Sequence, residues 1–206
     1  METVLVDDGS SDGTAELVAE RFPTIRLIRQ MRTGHPGARN RGIRESRGEF
    51  LSFVDQDDLW SPEKTESQVR CLLHDPALDL VFGNIHNFFS PEMTVEDTRR
   101  VAAPMNSLPG QLQGAMLARR RSFERVGPFN EFRDVGDFLE WYGRAMVLRL
   151  KVHMQPETVL RRRIHAGNHQ RTRTDRGRGY LPVLKDLLDL RRRAASRPGI
   201  DEPPES

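Results

Sequence analysis

The chain has 206 residues, 36% of them hydrophobic and 30% charged, which suits one domain with a sizeable core and some solvated extensions. Its single cysteine, Cys71, excludes an internal disulfide framework, and no apolar run reaches the roughly 20 residues of a membrane span. The net charge of +2 divides into +9 over residues 161–197 and −7 elsewhere, and the basic segment brings no zinc-ligand spacing, RNA-binding aromatic motif or helix-turn-helix.

Thr3-Val4-Leu5-Val6 reads as a strand. It runs into Asp7-Asp8-Gly9-Ser10-Ser11-Asp12-Gly13-Thr14, a loop of turn-formers and carboxylates in which Asp12 or Thr14 is placed to cap a helix over 15–21. Asp7 and Asp12 are assigned to loop and cap chemistry. Pro23 ends the helix, and a second strand follows over 25–28. A loop over 33–37 leads to a short helix over 38–46 with Arg39 and Asn40 near its start.

After Gly48, Phe50-Leu51-Ser52-Phe53-Val54 is the apolar run of a buried strand. It ends in three carboxylates within four residues, Asp55, Asp57 and Asp58. Ser61-Pro62-Glu63 then reads as an N-cap, a proline at the first helical position and an acid in the first turn. The carboxylates therefore lie on a tight loop between strand and helix. In an α/β sheet, ligands bind at such carboxyl ends of strands. Three anions this close repel one another unless a cation offsets them. Oxygen ligands on a short loop suit Mg²⁺ or Mn²⁺, which keep positions open for substrate phosphates. The other reading is a solvated acidic turn that caps the helix; its place directly after an apolar strand favours the metal-diphosphate site.

The alternation up to this point implies a parallel sheet with covering helices. A helix over 62–74 follows, with Val69, Leu72 and Leu73 inward and Cys71 a packed thiol. A buried strand is expected over 78–84, an irregular stretch over 90–109, a strand over 114–118 and a short helix over 121–125. Residues 137–149 read as a helix packed through Phe138, Leu139, Trp141, Tyr142, Ala145 and Met146. Two closing strands are expected over 151–154 and 158–164. Beyond an Arg/Gly-rich linker, Leu184, Leu187, Leu188 and Leu190 mark a helix over 181–195.

Five motifs accumulate along the chain. Val4-Leu5-Val6-Asp7-Asp8-Gly9-Ser10-Ser11-Asp12-Gly13-Thr14 is similar to the first acidic signature of the family 2 glycosyltransferases, and Gly37-Ala38-Arg39-Asn40-Arg41-Gly42 to their Ala-Arg-Asn helix start. Val54-Asp55-Gln56-Asp57-Asp58-Leu59-Trp60 resembles their metal-binding acidic motif. Phe123-Glu124-Arg125-Val126-Gly127-Pro128-Phe129-Asn130-Glu131 resembles their acceptor-side segment, and Arg163-Ile164-His165-Ala166-Gly167-Asn168 their late His-x-x-Asn element. The five stand in the family's order.

The resemblance implies a GT-A fold: α/β, with a Rossmann-like mixed, mostly parallel sheet flanked by helices. That domain would span 1–170, followed by a basic linker and C-terminal helix over 171–197 and a disordered tail over 198–206. The implied reaction is metal-dependent, inverting transfer of a sugar from a nucleotide-diphosphate sugar to a hydroxyl of a glycan, lipid-linked or small-molecule acceptor. Asp8 would hydrogen-bond the nucleobase, and Arg39 would pair with the diphosphate. Asp57 and Asp58 would bind ribose and Mn²⁺ or Mg²⁺, with Asp55 supporting. Asn40 would hold its loop. The acceptor's base is assigned to Asp137, after Gly136, with Glu140 in reserve and Asp134 also available. His165 would approach the diphosphate or make a structural hydrogen bond.

One departure stands out. The family's pattern opens with a further strand and helix ahead of the Asp-Asp-Gly-Ser signature, whereas Thr3 already begins what would be the second strand. A sheet incomplete at this point is expected to bind nucleotide weakly and to self-associate. A truncated, non-catalytic nucleotide- or glycan-binding relative is the alternative, and a basic nucleic-acid-binding protein a third; no nucleic acid is expected as partner. The expected location is cytoplasmic, peripheral at the inner membrane face.

Overall fold

The computed structural model describes residues 1–100, 107–133, 136–165 and 173–195. Its first unit is a βαβ crossover. Strand β1 (Val4–Asp7) pairs in parallel with β2 (Arg26–Arg29), and α1 (Thr14–Arg21) connects them. Helix α2 (His35–Glu45) packs against β1 and starts earlier than the sequence suggests. Pro36 falls in its first turn, where a missing N–H leaves no hydrogen bond unmade.

The second sheet has six strands. From one edge the order is β3 (Phe50–Ser52), β7 (Leu117–Arg119), β5 (Leu80–Phe89), β8 (Val152–Ile164) and β4 (Leu59–Trp60), with β6 (Leu108–Gly110) paired to β5 off this path. β5 and β8 run parallel over the longest register in the molecule; β3–β7, β5–β7, β5–β6 and β4–β8 are antiparallel. Helices α3 (Lys64–His74), α5 (Arg120–Val126) and α6 (Asp137–Val147) flank it. Helix α4 (Val95–Arg100) occupies part of the stretch expected to be irregular, and α7 (Arg173–Ala195) extends the predicted C-terminal helix toward its N-terminus. The result is a mixed α/β sheet with covering helices.

Several local expectations give way; the strand expected over 114–118 is a 3₁₀ turn over Gln113–Ala115 followed by β7 from Leu117. Residues 152–164 form one strand, not two. The chain passes Pro156, which has no N–H to donate, at a register irregularity opposite Phe82–Ile85, and Asn84 Nδ2 donates to Pro156 O there (2.7 Å). Ser61 is not an N-cap: its carbonyl accepts from Lys64 N, and α3 begins at Lys64. Leu73 faces solvent at 63% exposure, and Leu139 and Met146 are partly exposed, because each lies off the buried stripe of its helix.

The main core is aromatic. Phe123 stacks on Trp141 at 4.5 Å between ring centroids, and Phe53, Phe129, Phe138 and Tyr142 make edge or stacked contacts around the pair. A smaller cluster of Leu72, Val81 and Leu117 lies under α3, with Cys71 and Val69 against it. These clusters leave the carboxyl end of β3 open for the acidic loop.

Candidate active site

The acidic loop leaves β3 and turns at once, Asp58 N donating to Asp55 O (3.1 Å). It is then fastened to the end of β8. Arg163 N donates to Asp58 Oδ1 (3.0 Å), Arg163 Nε donates to Asp57 O (3.1 Å), and His165 Nε2 lies 2.9 Å from Asp57 Oδ2. Two-residue β4, pairing Leu59 with Arg161 and Trp60 with Leu160, continues the attachment. Burial pushes the Asp58 carboxyl up to about 6; the charges of Asp57 and Asp55 add to this, and the Arg163 N–H opposes it. The loop thus holds more negative charge than its protein neighbours relieve.

Beneath the loop, Lys64 is almost completely buried. Its ammonium donates to Ser52 Oγ (2.7 Å), Gln68 Oε1 (2.7 Å) and Met116 O (3.2 Å), and lies 4.6 Å from the centre of the Trp60 ring. Burial pushes its pKa down to about 7. Three acceptors match the three N–H groups of the charged form. The lysine ties β3, α3 and the residue before β7 together.

Arg39, on the first turns of α2, reaches across the front. Its Nη2 donates to Asp55 Oδ1 (3.1 Å) and its Nη1 to Asp137 Oδ2 (2.5 Å), joining residues 16 and 98 positions away. Gln113 Nε2 donates to both oxygens of Asp55 (3.0 and 3.3 Å). Asp137 is the first residue of α6, entered through Gly136 at φ 79°, and its carboxylate sits where a helix N-terminus favours negative charge. Glu140, one turn on, is spent on Arg144 (2.8 Å), which also donates to Val126 O and Pro128 O. Glu140 thereby braces the loop before Phe129.

Asn40 is buried and donates Nδ2 to Phe129 O (2.9 Å) and Glu131 Oε1 (2.8 Å), while its Oδ1 accepts from Phe129 N (2.9 Å). It holds the acceptor-side segment against α2. Asp8 accepts from Thr33 N (2.8 Å), Gly34 N (2.7 Å), Thr33 Oγ1 (3.1 Å) and Gln30 Nε2 (2.8 Å), bonds that hold its carboxyl below the usual range against the opposing effect of burial. Asp7 accepts from Ser10 N, and Asp12 from Thr14 N and Oγ1, as loop and cap chemistry requires.

Asp55, Asp57, Asp58, Arg39, Asp137 and His165 are therefore linked in one hydrogen-bonded neighbourhood. Glu140 is engaged elsewhere on α6, and Asp8 stands on the β1 loop. Asp134 and Asn168 lie outside the described residues. The sequence assigns no role to Gln113 or Lys64, or to Arg163 beyond its place at the head of the late His-x-x-Asn element. Gln113 lies in an unremarkable Gln-Leu-Gln, and Arg163 is one of three consecutive arginines. The only local signal of Lys64 is its spacing of four from Gln68. Among the described residues no three His, Cys, Asp or Glu side chains are grouped to hold a metal by themselves. A pair of loop carboxylates with the charge excess seen at Asp58 fits a Mg²⁺ or Mn²⁺ whose remaining ligands are water and substrate phosphate.

The fold is that of the GT-A nucleotide-sugar transferases. The chain matches 92% of its length to S. aureus TarS in complex with UDP-GlcNAc (TM-score 0.68, 18% identity, 57% of that chain). It matches 91% to the mannosyltransferase PcManGT from Pyrobaculum calidifontis in complex with GDP-Man and Mn²⁺ (TM-score 0.64, 22% identity, 55% of that chain). The profile described as Glycosyl transferase family 2 matches residues 1–128, and this chain belongs to that family. An uncharacterized glycosyltransferase of Nostoc sp. is 35% identical over 188 residues, 82% of this chain and 57% of the relative. Escherichia coli WfgD, a UDP-Glc:α-D-GlcNAc-diphosphoundecaprenol β-1,3-glucosyltransferase, is 35% identical over 86 residues, 40% of this chain and 33% of the relative. The chain thus spans well under two thirds of each relative's length.

Proposed function

We propose that this chain carries the donor site of a metal-dependent, inverting glycosyltransferase that moves a sugar from a nucleotide-diphosphate sugar to an acceptor hydroxyl. The observation that carries the reading is the guanidinium of Arg39. It binds Asp55 and Asp137 at once, and so sets a carboxylate suited to general-base work beside a loop suited to a metal diphosphate. Family membership and a fold shared with nucleotide-sugar complexes support it.

In this reading Asp57 and Asp58 hold Mn²⁺ or Mg²⁺ and meet the ribose, with Asp55 in support. The bound metal would offset the charge gathering on the departing nucleoside diphosphate. Asp8 serves the nucleobase, whose N–H shares oxygens already used by Thr33 and Gly34. When donor binds, Arg39 turns one of its forked donors from Asp55 to a diphosphate oxygen. His165 keeps Asp57 oriented on that side. Arg39 engages Oδ2 of Asp137, leaving Oδ1 for the acceptor. The acceptor oxygen attacks the anomeric carbon as its bond to the diphosphate breaks on the opposite face. The electron pair leaves with the nucleotide and the proton passes to Asp137.

The donors to try first are UDP- and GDP-sugars, and the acceptors are lipid-linked saccharides, after the relatives' printed activities. Self-association is proposed through β1 and β3, which lie in different sheets and each carry a strand on one side only among the described residues. Transfer assays with Mn²⁺ test the chemistry. Asp137→Asn should lower turnover by roughly 10²- to 10⁴-fold and leave nucleotide affinity within about twofold, because the amide keeps the shape but cannot take the proton. If Glu140→Gln gives that phenotype and Asp137→Asn does not, the base is misassigned.

A further inference from the structure

We infer that the outward face of α7 docks on an anionic lipid bilayer. The helix is seated on α6 by an adjoining face: Val183 is fully buried, and Leu187 packs so closely on Gly143 that a Cβ there would not fit. Arg133 pairs with Asp186 on the flank of this contact. At 100° per residue, Leu181, Leu184 and Leu188 fall together in a stripe about 110° round the helix from Val183 and Leu187, and they are 65%, 48% and 53% exposed. Lys185 and Arg192 flank that stripe on its outer edge and Arg191 on its edge toward α6, all exposed. The two aspartates of this part of the helix are each engaged by an arginine, Asp186 by Arg133 and Asp189 by Arg192 (3.4 Å).

The occupant follows from this mixture. Three leucines left in water on one helix face call for an apolar cover, and cations on both sides of them call for negative charge around it. A bilayer interface with anionic headgroups supplies the two in that arrangement, with leucines at the headgroup–acyl boundary and basic groups among the phosphates. A second copy of the same face would oppose cation to cation. Nucleic acid would leave the leucines uncovered. The docking requires nothing of the donor site.

The test is flotation of the 206-residue chain with vesicles of phosphatidylcholine alone and of phosphatidylcholine with phosphatidylglycerol. Binding is expected only to the anionic vesicles and should fall as salt rises. Leu184→Asp with Leu188→Asp, and separately K185E with R191E and R192E, should each weaken it at least tenfold. Because Arg192 also pairs with Asp189, K185E with R191E alone is run beside the triple variant and should weaken binding in the same direction, and melting curves of every variant show that the helix is still folded. Absence of binding to anionic vesicles would overturn the proposal, as would equal binding by either variant. A dimer that the leucine variant dissociates, or tighter binding to unrelated RNA than to vesicles, would overturn it in favour of that occupant.

Discussion

At the scale of single residues, the site is defined by charges that the fold keeps close without fully relieving. Asp58 is the clearest. Its pKa, raised from 3.8 to about 6, means that the folded state holds its proton more tightly than the unfolded chain. The stability this contributes is complete below pH ~4 and is lost as pH rises through about 6. In metal-free buffer, Asp58→Asn should therefore melt about 2–4 °C above the parent at pH 7, corresponding to roughly 1 kcal/mol after allowance for partial solvation, and together with it near pH 3.5. An unchanged or lower melting temperature at pH 7 would mean that the loop is not strained by its charge. Lys64 should behave oppositely. Lys64→Met strands three acceptors, Ser52 Oγ, Gln68 Oε1 and Met116 O, and should cost about 3 kcal/mol in denaturant titration. A neutral result would show that water or rotation satisfies them.

At the scale of elements, residue patterns that are local in sequence were legible and those set by tertiary contact were not. The apolar run ending in Asp55, Asp57 and Asp58 announces a buried strand and an acidic loop without help from the rest of the chain. So does the turn-rich stretch from Asp7 to Thr14. By contrast, nothing near Gln113 or Arg163 indicates that they bind Asp55 and Asp58, since their partners lie 58 and 105 positions away. β4 is only two residues long and exists through its pairing with β8, and Pro156 reads as a strand break although β8 passes it at a register irregularity. Leu73 obeyed hydrophobicity but not the helix's buried stripe.

Asn40 shows what such distant contacts do for an element. Its amide satisfies both backbone groups of Phe129, and so fixes the segment that leads from α5 toward α6. Asn40→Ala should destabilise the fold by about 2–4 kcal/mol, because it leaves a buried N–H and carbonyl unpaired. The same variant should raise amide exchange over 129–131 more than over β5. Equal exchange in the two regions would mean that α2 does not anchor the acceptor side.

At the scale of the molecule, Arg39 is the point where the two sheets' chemistry meets. It leaves the βαβ unit of β1 and β2 through α2, touches the loop of β3, and reaches the head of α6. Donor binding should accordingly be felt on both sides of the cleft. The two-stranded sheet of β1 and β2 is separate from the six-stranded one, so concentration-dependent gel filtration is the check on self-association: larger species are expected as protein concentration rises, and a constant monomer would remove that part of the account.

The most direct test of the donor site is calorimetric titration of UDP and GDP into the chain with Mn²⁺ and with chelator, repeated on Asp58→Ala. At least one nucleotide diphosphate should bind the parent in Mn²⁺ at least tenfold more tightly than in chelator. The variant should lose that difference while melting no lower than the parent. Binding that is equally tight with and without metal, or a metal-dependent affinity that survives in Asp58→Ala, would contradict the assignment of the acidic loop.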